Sequence, residues 1–323
     1  MKKVLCFAAM AMAIFASCQK TEIVGNNDGP QEISFLAINK VPTKAPVEGT
    51  TFPGTWKMTV SAYLAKVDGS TTGARDYFNG IDFTKGTTDW TGGQYWPLSD
   101  AILNFHAVAP VETGVSTTFA DPKHVSKSVT TVTSNNLNQY DVMYAVDRGT
   151  KVGNTTSPVG MKFKHAYCWI DFHFSGSNII TINNITVNGV SCDGTLTVNV
   201  DNPTSDTEAL TTTAAWTGFT SQNIDVNSDG IFTLSATKTQ YNNGILLIPE
   251  DPMSSFIIDY TMGGQNLTYT YTPNPAPNWE AGKRYIYNIS MSPTAISIKP
   301  TVEGWDGNDT NNITDNDKDI TLE

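Results

Sequence analysis

Hydrophobic and polar residues alternate along most of this chain, in short runs that are separated by turn residues. The clearest run is 166–174, where Cys168, Ile170, Phe172 and Phe174 fall on one face of an extended strand. No window keeps apolar residues at the helical spacing of three and four positions. The predicted strands cover residues 32–38, 56–64, 102–108, 128–132, 142–146, 161–174, 181–190, 194–200, 230–235, 244–248, 256–261, 267–271, 284–291, 296–302 and 320–322. Short strands with regular turns predict an all-β chain of β-sandwiches or barrels.

Two groups of strands are separated by residues 147–158, which are rich in Gly, Thr and Ser and show no periodicity. We therefore expect an N-terminal β-sandwich domain over residues 32–156 and a C-terminal β-sandwich domain over residues 157–323. The preceding residues 18–31 are polar and Gly/Asn-rich, which predicts a flexible tether. Gly263-Gly264, between two alternating runs, predicts a two-residue hairpin turn.

The first predicted strand, residues 32–38, is followed by an irregular loop. Three apolar side chains of this strand share one face: Ile33, Phe35 and Ala37. The loop, residues 40–46, holds two prolines and two lysines. Exposed polar loops are where proteolysis concentrates, so this loop is predicted to be a protease target.

The N-terminal residues have the pattern of an export signal. Met1-Lys2-Lys3 is positively charged, and the 13 residues 4–16 carry no charge. A bilayer-spanning helix needs about 20 apolar residues, so this run predicts a signal peptide over residues 1–17. Small residues directly before Cys18 resemble a bacterial lipobox, in which the cleaved chain begins at a cysteine that carries diacylglycerol. An ordinary signal peptide with an incidental cysteine is the alternative.

The charge balance argues against some partners. The 323 residues have a formal net charge of −11, and removal of residues 1–17 takes away two lysines and no acid, which leaves −13. A negative surface repels nucleic acid and anionic lipid headgroups. We therefore expect no nucleic-acid partner, and membrane attachment through lipid on Cys18.

Two further cysteines, Cys168 and Cys192, lie in predicted strands. If residues 175–178 form a hairpin turn, Cys168 opposes Ile185 and Cys192 lies about 23 Å away along the strand. A disulfide is permitted outside the cytoplasm but needs Cα atoms within about 7 Å. This geometry favours two buried free thiols.

No motif of an enzyme or a metal site is convincing. His165 and Cys168 have the spacing of two ligands on a helix, but in a strand they point to opposite faces. Asp315, Asp317 and Asp319 match the first three ligand positions of an EF-hand loop, but its sixth position is Ile320 instead of glycine. We therefore predict no metal, no cofactor and no catalytic residue.

Two other groups of residues suggest sugar chemistry only weakly. Glu250 and Asp251 are adjacent, whereas a glycosidase needs two acids placed about 5–9 Å apart across a cleft. Trp90, Tyr95 and Trp96 could form a platform on which a sugar stacks. Aromatic residues of a β-sandwich more often pack in the core.

Several local motifs, in this order over the whole chain, resemble those of the fimbrillin family, the subunits of type V pili. They are Tyr95-Trp96-Pro97 followed by Leu103-Asn104-Phe105-His106-Ala107; Tyr140-Asp141-Val142-Met143-Tyr144-Ala145; Met161-Lys162-Phe163-Lys164-His165-Ala166; Leu246-Leu247-Ile248-Pro249; and 279–287 followed by Gly304-Trp305. The resemblance implies two transthyretin-like β-sandwiches and a precursor that reaches the cell outer membrane as a lipoprotein.

The resemblance also implies an assembly mechanism. A trypsin-like protease removes the lipid-bearing N-terminus with the first strand, here after Lys40 or Lys44, and the vacated groove accepts a C-terminal strand from a neighbouring pilus subunit. The strand with Ile33, Phe35 and Ala37 would be the removable one. Candidate donor strands are residues 296–302, with Ile296, Ile298 and Val302, and the short run with Ile320 and Leu322.

These observations predict a structural or adhesive subunit of a cell-surface fimbrium, which is not an enzyme. The alternative is a permanently anchored surface lipoprotein, which would serve as a pilus anchor or bind glycans through exposed aromatic residues.

Overall fold

The computed structural model describes residues 29–38, 56–65, 75–111, 115–121, 124–129, 139–201, 210–226, 230–305, 310–311 and 318–321. Within these ranges the regular secondary structure is β-strand without any helix, which confirms the all-β prediction. No helix suited to crossing a membrane occurs in this described part of the chain.

Twenty-four strands are described. The strands of the first half are β1 (Glu32–Ile38), β2 (Lys57–Leu64), β3 (Arg75–Lys85), β4 (Trp90–Tyr95), β5 (Leu103–Ala109), β6 (Val115–Asp121), β7 (His124–Val129), β8 (Met143–Gly149), β9 (Val159–Lys162) and β10 (Lys164–His165). Those of the second half are β11 (Cys168–Gly176), β12 (Ile180–Val190), β13 (Gly194–Asp201), β14 (Thr211–Thr217), β15 (Gln222–Asp225), β16 (Phe232–Thr233), β17 (Thr239–Gln240), β18 (Ile245–Leu247), β19 (Ser255–Met262), β20 (Gln265–Tyr271), β21 (Lys283–Ser292), β22 (Ala295–Gly304), β23 (Thr310–Asn311) and β24 (Lys318–Thr321).

The first sheet has eight strands in the order β10-β8-β5-β2-β3-β4-β1-β9. Its two outermost strands, β9 and β10, are separated only by Phe163, so the sheet curls until both of its edges meet in one segment. Phe163 itself belongs to the core that this sheet encloses, together with Phe35, Phe83 and Phe105.

Two sheets pack face to face in the second half. One has seven strands, in the order β17-β11-β21-β22-β23 with β18 also on β11 and β24 on β22. The other has five, in the order β15-β12-β19-β20 with β16 also on β12. The core between them includes Cys168, Ile170, Phe172 and Phe174, the face that the alternation predicts.

A four-stranded sheet, β14-β13-β7-β6, joins the two halves of the chain. Strand β7 pairs with β13 from Gly194↔Val129 to Asn199↔His124. Leu196 and Trp216 of this sheet share a hydrophobic cluster with Val108 and Tyr144 of the first sheet and with residues of the second half. Because the cluster takes residues from both halves, this sheet packs across the junction between them.

The connectivity differs from the sequence-based expectation in one respect. The hairpin considered for residues 175–178 does not form: β11 pairs with β21, whereas β12 pairs with β19 in the other sheet. The turn therefore carries the chain from one sheet to the other. Strands β9 and β10 pair with the first sheet although they follow residue 156, and the domain boundary stays a prediction.

Candidate functional site

The first described strand, β1, lies in the interior of the first sheet. On one side β1 pairs antiparallel with β4, through Ser34↔Thr91 and Phe35↔Trp90. On the other side it pairs parallel with β9, from Phe35↔Val159 to Ile38↔Lys162. Loss of β1 would leave a groove with two unpaired strand edges, and unpaired edges are templates for another strand.

The side chains of β1 fill the core beneath this groove. Ile33 and Phe35 are both 0% exposed, and Ala37 packs partly buried against the same cluster. The Phe35 ring makes edge-to-face contacts with the rings of Phe83 (centroids 4.9 Å apart) and Phe105 (5.0 Å). Burial of each large side chain stabilises the fold by about 1.5–3 kcal/mol, so β1 is a structural part of the first core.

Hydrogen bonds hold the beginning of β1. The Trp96 backbone N–H donates to the Gln31 carbonyl (2.9 Å), and Gln31 Nε2 donates to the Asn154 carbonyl (2.7 Å). The Gly93 N–H donates to Glu32 Oε1 (3.0 Å). The end of β1 leads into residues 39–55, which lie outside the described residues and include Lys40 and Lys44. Cys18 also lies outside them, so lipidation and processing stay predictions.

The two candidate donor segments differ in their surroundings. Strand β22 pairs with β21 on one side and with β23 and β24 on the other. Ile296 and Ile298 are 1% and 2% exposed in the second core, and Val302 packs partly buried against it. Strand β24 pairs with β22 through Ile296↔Ile320, and among the described residues it has no partner on its other side. Leu322 lies outside the described residues. Withdrawal of β22 would open the second core, whereas release of β24 would leave the pairing of β21 with β22 intact.

The aromatic corner does not form the platform that a sugar would need. Trp90 and Trp96 are 2% and 4% exposed, and the Trp96 ring lies edge-on to Phe105 with centroids 5.7 Å apart. Only Tyr95 of the three is exposed. The interpretation of Trp90 and Trp96 as sugar-stacking residues is therefore wrong.

The other candidate chemical groups have structural contacts. Glu250 accepts a hydrogen bond from the Trp216 backbone N–H (3.3 Å), and Asp251 accepts from the hydroxyls of Ser191 (2.7 Å) and Ser221 (2.8 Å). Among the described residues, no group of three or more His, Cys, Asp or Glu side chains could hold a metal ion. Asp315 and Asp317 lie outside those residues.

Both internal cysteines are buried, free thiols. Burial raises the pKa of Cys168 well above its usual value. For Cys192, burial and the neighbouring Asp193 raise the pKa to about 12. Because the thiolate is the reactive form, neither thiol is suited to nucleophilic chemistry.

The sequence patterns did not predict a buried ionic network on β11. Asp171, which is 0% exposed, accepts hydrogen bonds from Arg284 (2.6 Å), His173 (2.9 Å) and Gln240 (3.1 Å). Burial opposes ionisation of Asp171, but the contacts with His173 and Arg284 outweigh it and lower its pKa. The Arg284 guanidinium also lies 3.8 Å from the ring centroid of Trp169, so this network fixes the outer face of β11.

A second group of contacts, at the junction between the two halves of the chain, involves Trp305, which precedes the C-terminal segment. His165 Nδ1 lies 2.8 Å from Asp141 Oδ2, and the His165 ring stacks on Trp305 with centroids 4.1 Å apart. The Trp305 backbone N–H donates a hydrogen bond to the Gly282 carbonyl (3.1 Å). Trp305 thus fixes the root of the segment that carries β23 and β24.

These features define a class of protein: an all-β protein in two halves, whose first strand is held in the middle of a sheet by two strands distant in sequence. The chain belongs to the fimbrillin-like family, which matches residues 43–305. Strand β1 and the residues after 305 flank that range. No curated protein matches the chain.

Two solved structures share the fold. One is a candidate cell adhesion protein from Bacteroides uniformis, 18% identical, with a TM-score of 0.52; the match covers 85% of this chain and 99% of that chain. The other is a candidate cell adhesion protein from Bacteroides ovatus, 19% identical, with a TM-score of 0.53; the match covers 86% of this chain and 98% of that chain.

Proposed function

We propose that this protein is a structural or adhesive subunit of a cell-surface pilus and that it polymerises by strand exchange. The position of β1 carries the proposal. A strand that is paired on both sides and contributes Ile33 and Phe35 to the core fills a site that another strand of the same pattern can fill. The role is mechanical and adhesive, not catalytic.

In the precursor, β1 protects the groove. Without it, the edges of β4 and β9 and the apolar core beneath them would be exposed during export, and such surfaces aggregate. Cleavage after Lys40 or Lys44 would sever β1 from the rest of the chain, so that β1 could leave when another strand competes for its place. Polymerisation would then start only after processing.

The donor is the C-terminal segment that contains Ile320 and Leu322. Support comes from the edge position of β24, since withdrawing it leaves the pairing of β21 with β22 intact. Strand β22 is the weaker candidate because Ile296 and Ile298 are buried in the second core.

Membrane attachment precedes assembly in this proposal. Cys18 would carry the lipid that holds the precursor on the surface of the outer membrane. A trypsin-like protease would release it, and the partners would be other pilus subunits. A chain that is never cut would keep its lipid and act as a pilus anchor.

The proposal is tested by the N-terminus and the intact mass of the protein on cells that produce it. We expect a form that begins at Val41 or Ala45 and lacks lipid, in polymers. The Lys40→Gln, Lys44→Gln double variant should accumulate as the lipidated monomer, whereas Lys57→Gln, a change outside the loop, should be processed normally. A wild-type protein that always begins at acylated Cys18 would refute the acceptor role and leave the anchor role.

A further inference from the structure

The C-terminal segment has two chemically different faces if it is a strand. Asp315, Asp317, Asp319 and Glu323 share one face with Thr321, and Ile320 and Leu322 share the other with Lys318. The spacing of these acids does not complete an EF-hand calcium loop, because Ile320 stands where the loop needs glycine. Strand exchange itself needs only the apolar face. The acidic face therefore needs another explanation.

A basic rim, which we define as Lys162 and Lys164, lies at the end of the groove. Val159 and Met161 of β9, beside β1 in the sheet, are buried in the first core at 2% and 0% exposure, and the next outward side chain is the exposed Lys162. Lys162 stands opposite Ile38, the last residue of β1. Lys164 is also exposed, and its Nζ donates to Thr212 Oγ1 (3.0 Å).

The basic rim borders a cleft of about 220 Å³. The cleft is lined by Tyr144, Ala145, Val146, Asp147, Lys162, Lys164, Leu210 and Thr212. Of its three charged residues, two are cations and one is Asp147. Burial raises the pKa of Asp147, against the opposing effects of Arg148 and Lys162. The cleft thus has an excess of positive charge in a chain whose net charge is −11.

We propose that the basic rim binds the acidic face of the C-terminal segment of a second copy of this chain, and thereby fixes the register of the incoming strand. This inference rests on the proposed function and names the partner of the same groove. Complementary charge at the rim of an interface mainly speeds encounter and disfavours wrong alignments.

The register can be worked out from the pairing of β1. If the donor runs parallel to β9, as β1 does, and Ile320 takes the place of Phe35, then Leu322 takes that of Ala37 and Glu323 comes opposite Lys162. This direction also places Lys318 at the position of the fully buried Ile33, which disfavours it.

If the donor runs in the opposite direction, with Ile320 again in the place of Phe35, Asp317 comes opposite Lys162. Either direction therefore pairs an acid with this lysine. A slip of one residue would turn the acidic face into the core.

The test is the polymerisation rate of the full chain after limited trypsin cleavage, followed by light scattering, with intact mass as the check on processing. The Lys162→Glu, Lys164→Glu variant should polymerise about tenfold more slowly at low salt. The Asp317→Lys, Asp319→Lys, Glu323→Lys variant should show a similar loss, and mixing the two charge-reversed variants should restore copolymerisation. The differences should shrink in 0.5 M salt, where screening is stronger.

A matched control is Lys57→Glu, which reverses an exposed lysine on β2 and should leave the rate unchanged. Thermal unfolding of each variant checks that it folds. If wild type polymerises and the Lys162, Lys164 variant does so equally fast, this inference fails while the proposed function stands. If the Lys162, Lys164 variant polymerises slowly but mixing it with the acidic-face variant does not restore copolymerisation, the basic rim does not bind the C-terminal segment. If processed wild type does not polymerise at all, the proposed function fails, and this inference with it.

Discussion

Replacement of Phe35 by alanine tests whether β1 is a structural part of the first core. Phe35 is fully buried and contacts the rings of Phe83 and Phe105 edge-on. Loss of a buried phenylalanine costs about 3–5 kcal/mol, and two aromatic pairs at about 0.5–1.5 kcal/mol each place this site at the upper end, about 4–5 kcal/mol. The neighbouring Leu36, which is 44% exposed, provides the matched control: Leu36→Ala should cost less than about 1 kcal/mol.

The assay is urea unfolding of the uncut chain, with the free energy of unfolding of the first half compared between the two variants. A second readout follows from the same contacts. After the loop is cut, β1 is held by non-covalent contacts alone, and a loss of about 4 kcal/mol weakens its retention about a thousandfold. Equal stability of the Phe35→Ala and Leu36→Ala variants, or equal retention of the cut strand, would refute the account of β1.

Three further predictions concern the second half. Asp171→Asn should lower the urea midpoint at pH 7, and the difference in midpoint from wild type should narrow below about pH 4. The reason is that a carboxylate whose pKa is lowered in the folded state stabilises the fold above its unfolded pKa and loses this effect as the pH falls through the folded pKa. A difference in midpoint that does not change with pH would contradict this. Gly244→Ala should cost about 3–4 kcal/mol by thermal unfolding, since φ is +67° and a Cβ would strike backbone, while Gly282→Ala, with φ +73° and open space, should cost about 1–2 kcal/mol. Iodoacetamide labelling, located by peptide mass spectrometry, should spare Cys168 and Cys192 in the native chain and modify both in urea; rapid native labelling would argue against their burial.

The sequence predicts well what depends on local alternation. The core face of β11 and the Gly263-Gly264 turn are both present, with Met262↔Gln265 closing the hairpin. Both features depend on neighbouring residues, because strand faces alternate with a period of two and a tight turn needs particular residues.

Strands with weak hydrophobic patterns were missed. Strand β4, WTGGQY, contains two glycines, which have low strand propensity. A Cβ at Gly92 would lie 3.0 Å from the Phe83 ring, so a larger residue there would have to displace that buried ring. Strand β3 is interrupted at Asn79-Gly80, where Gly80 has a φ of +64° and the pairing with β2 shifts register. Tertiary packing therefore determines these strands more than local propensity does.

Pairing between distant strands could not be derived. The alternation of β1 shows which face is buried, but its neighbours β4 and β9 lie far along the chain, as do β7 and β13. The contact of Asp171 with Arg284 joins residues 113 positions apart. The position of β1 between two strands, on which the proposed function depends, is thus information that only the folded chain contains.

A reversible disulfide between β1 and β4 tests the exchange of β1 most directly. Ser34 and Thr91 are paired residues of antiparallel strands, whose Cα atoms are about 4.5–5.5 Å apart, within the range of a disulfide. The two native internal thiols are buried and will not compete. The Ser34→Cys, Thr91→Cys chain, oxidised and then cut in the loop, should keep β1 and remain monomeric, and reductant should restore polymerisation. The Thr84→Cys, Thr91→Cys chain, which links β3 to β4 instead, should polymerise in either redox state. Polymers that form while intact mass shows β1 still linked to β4 would contradict strand exchange.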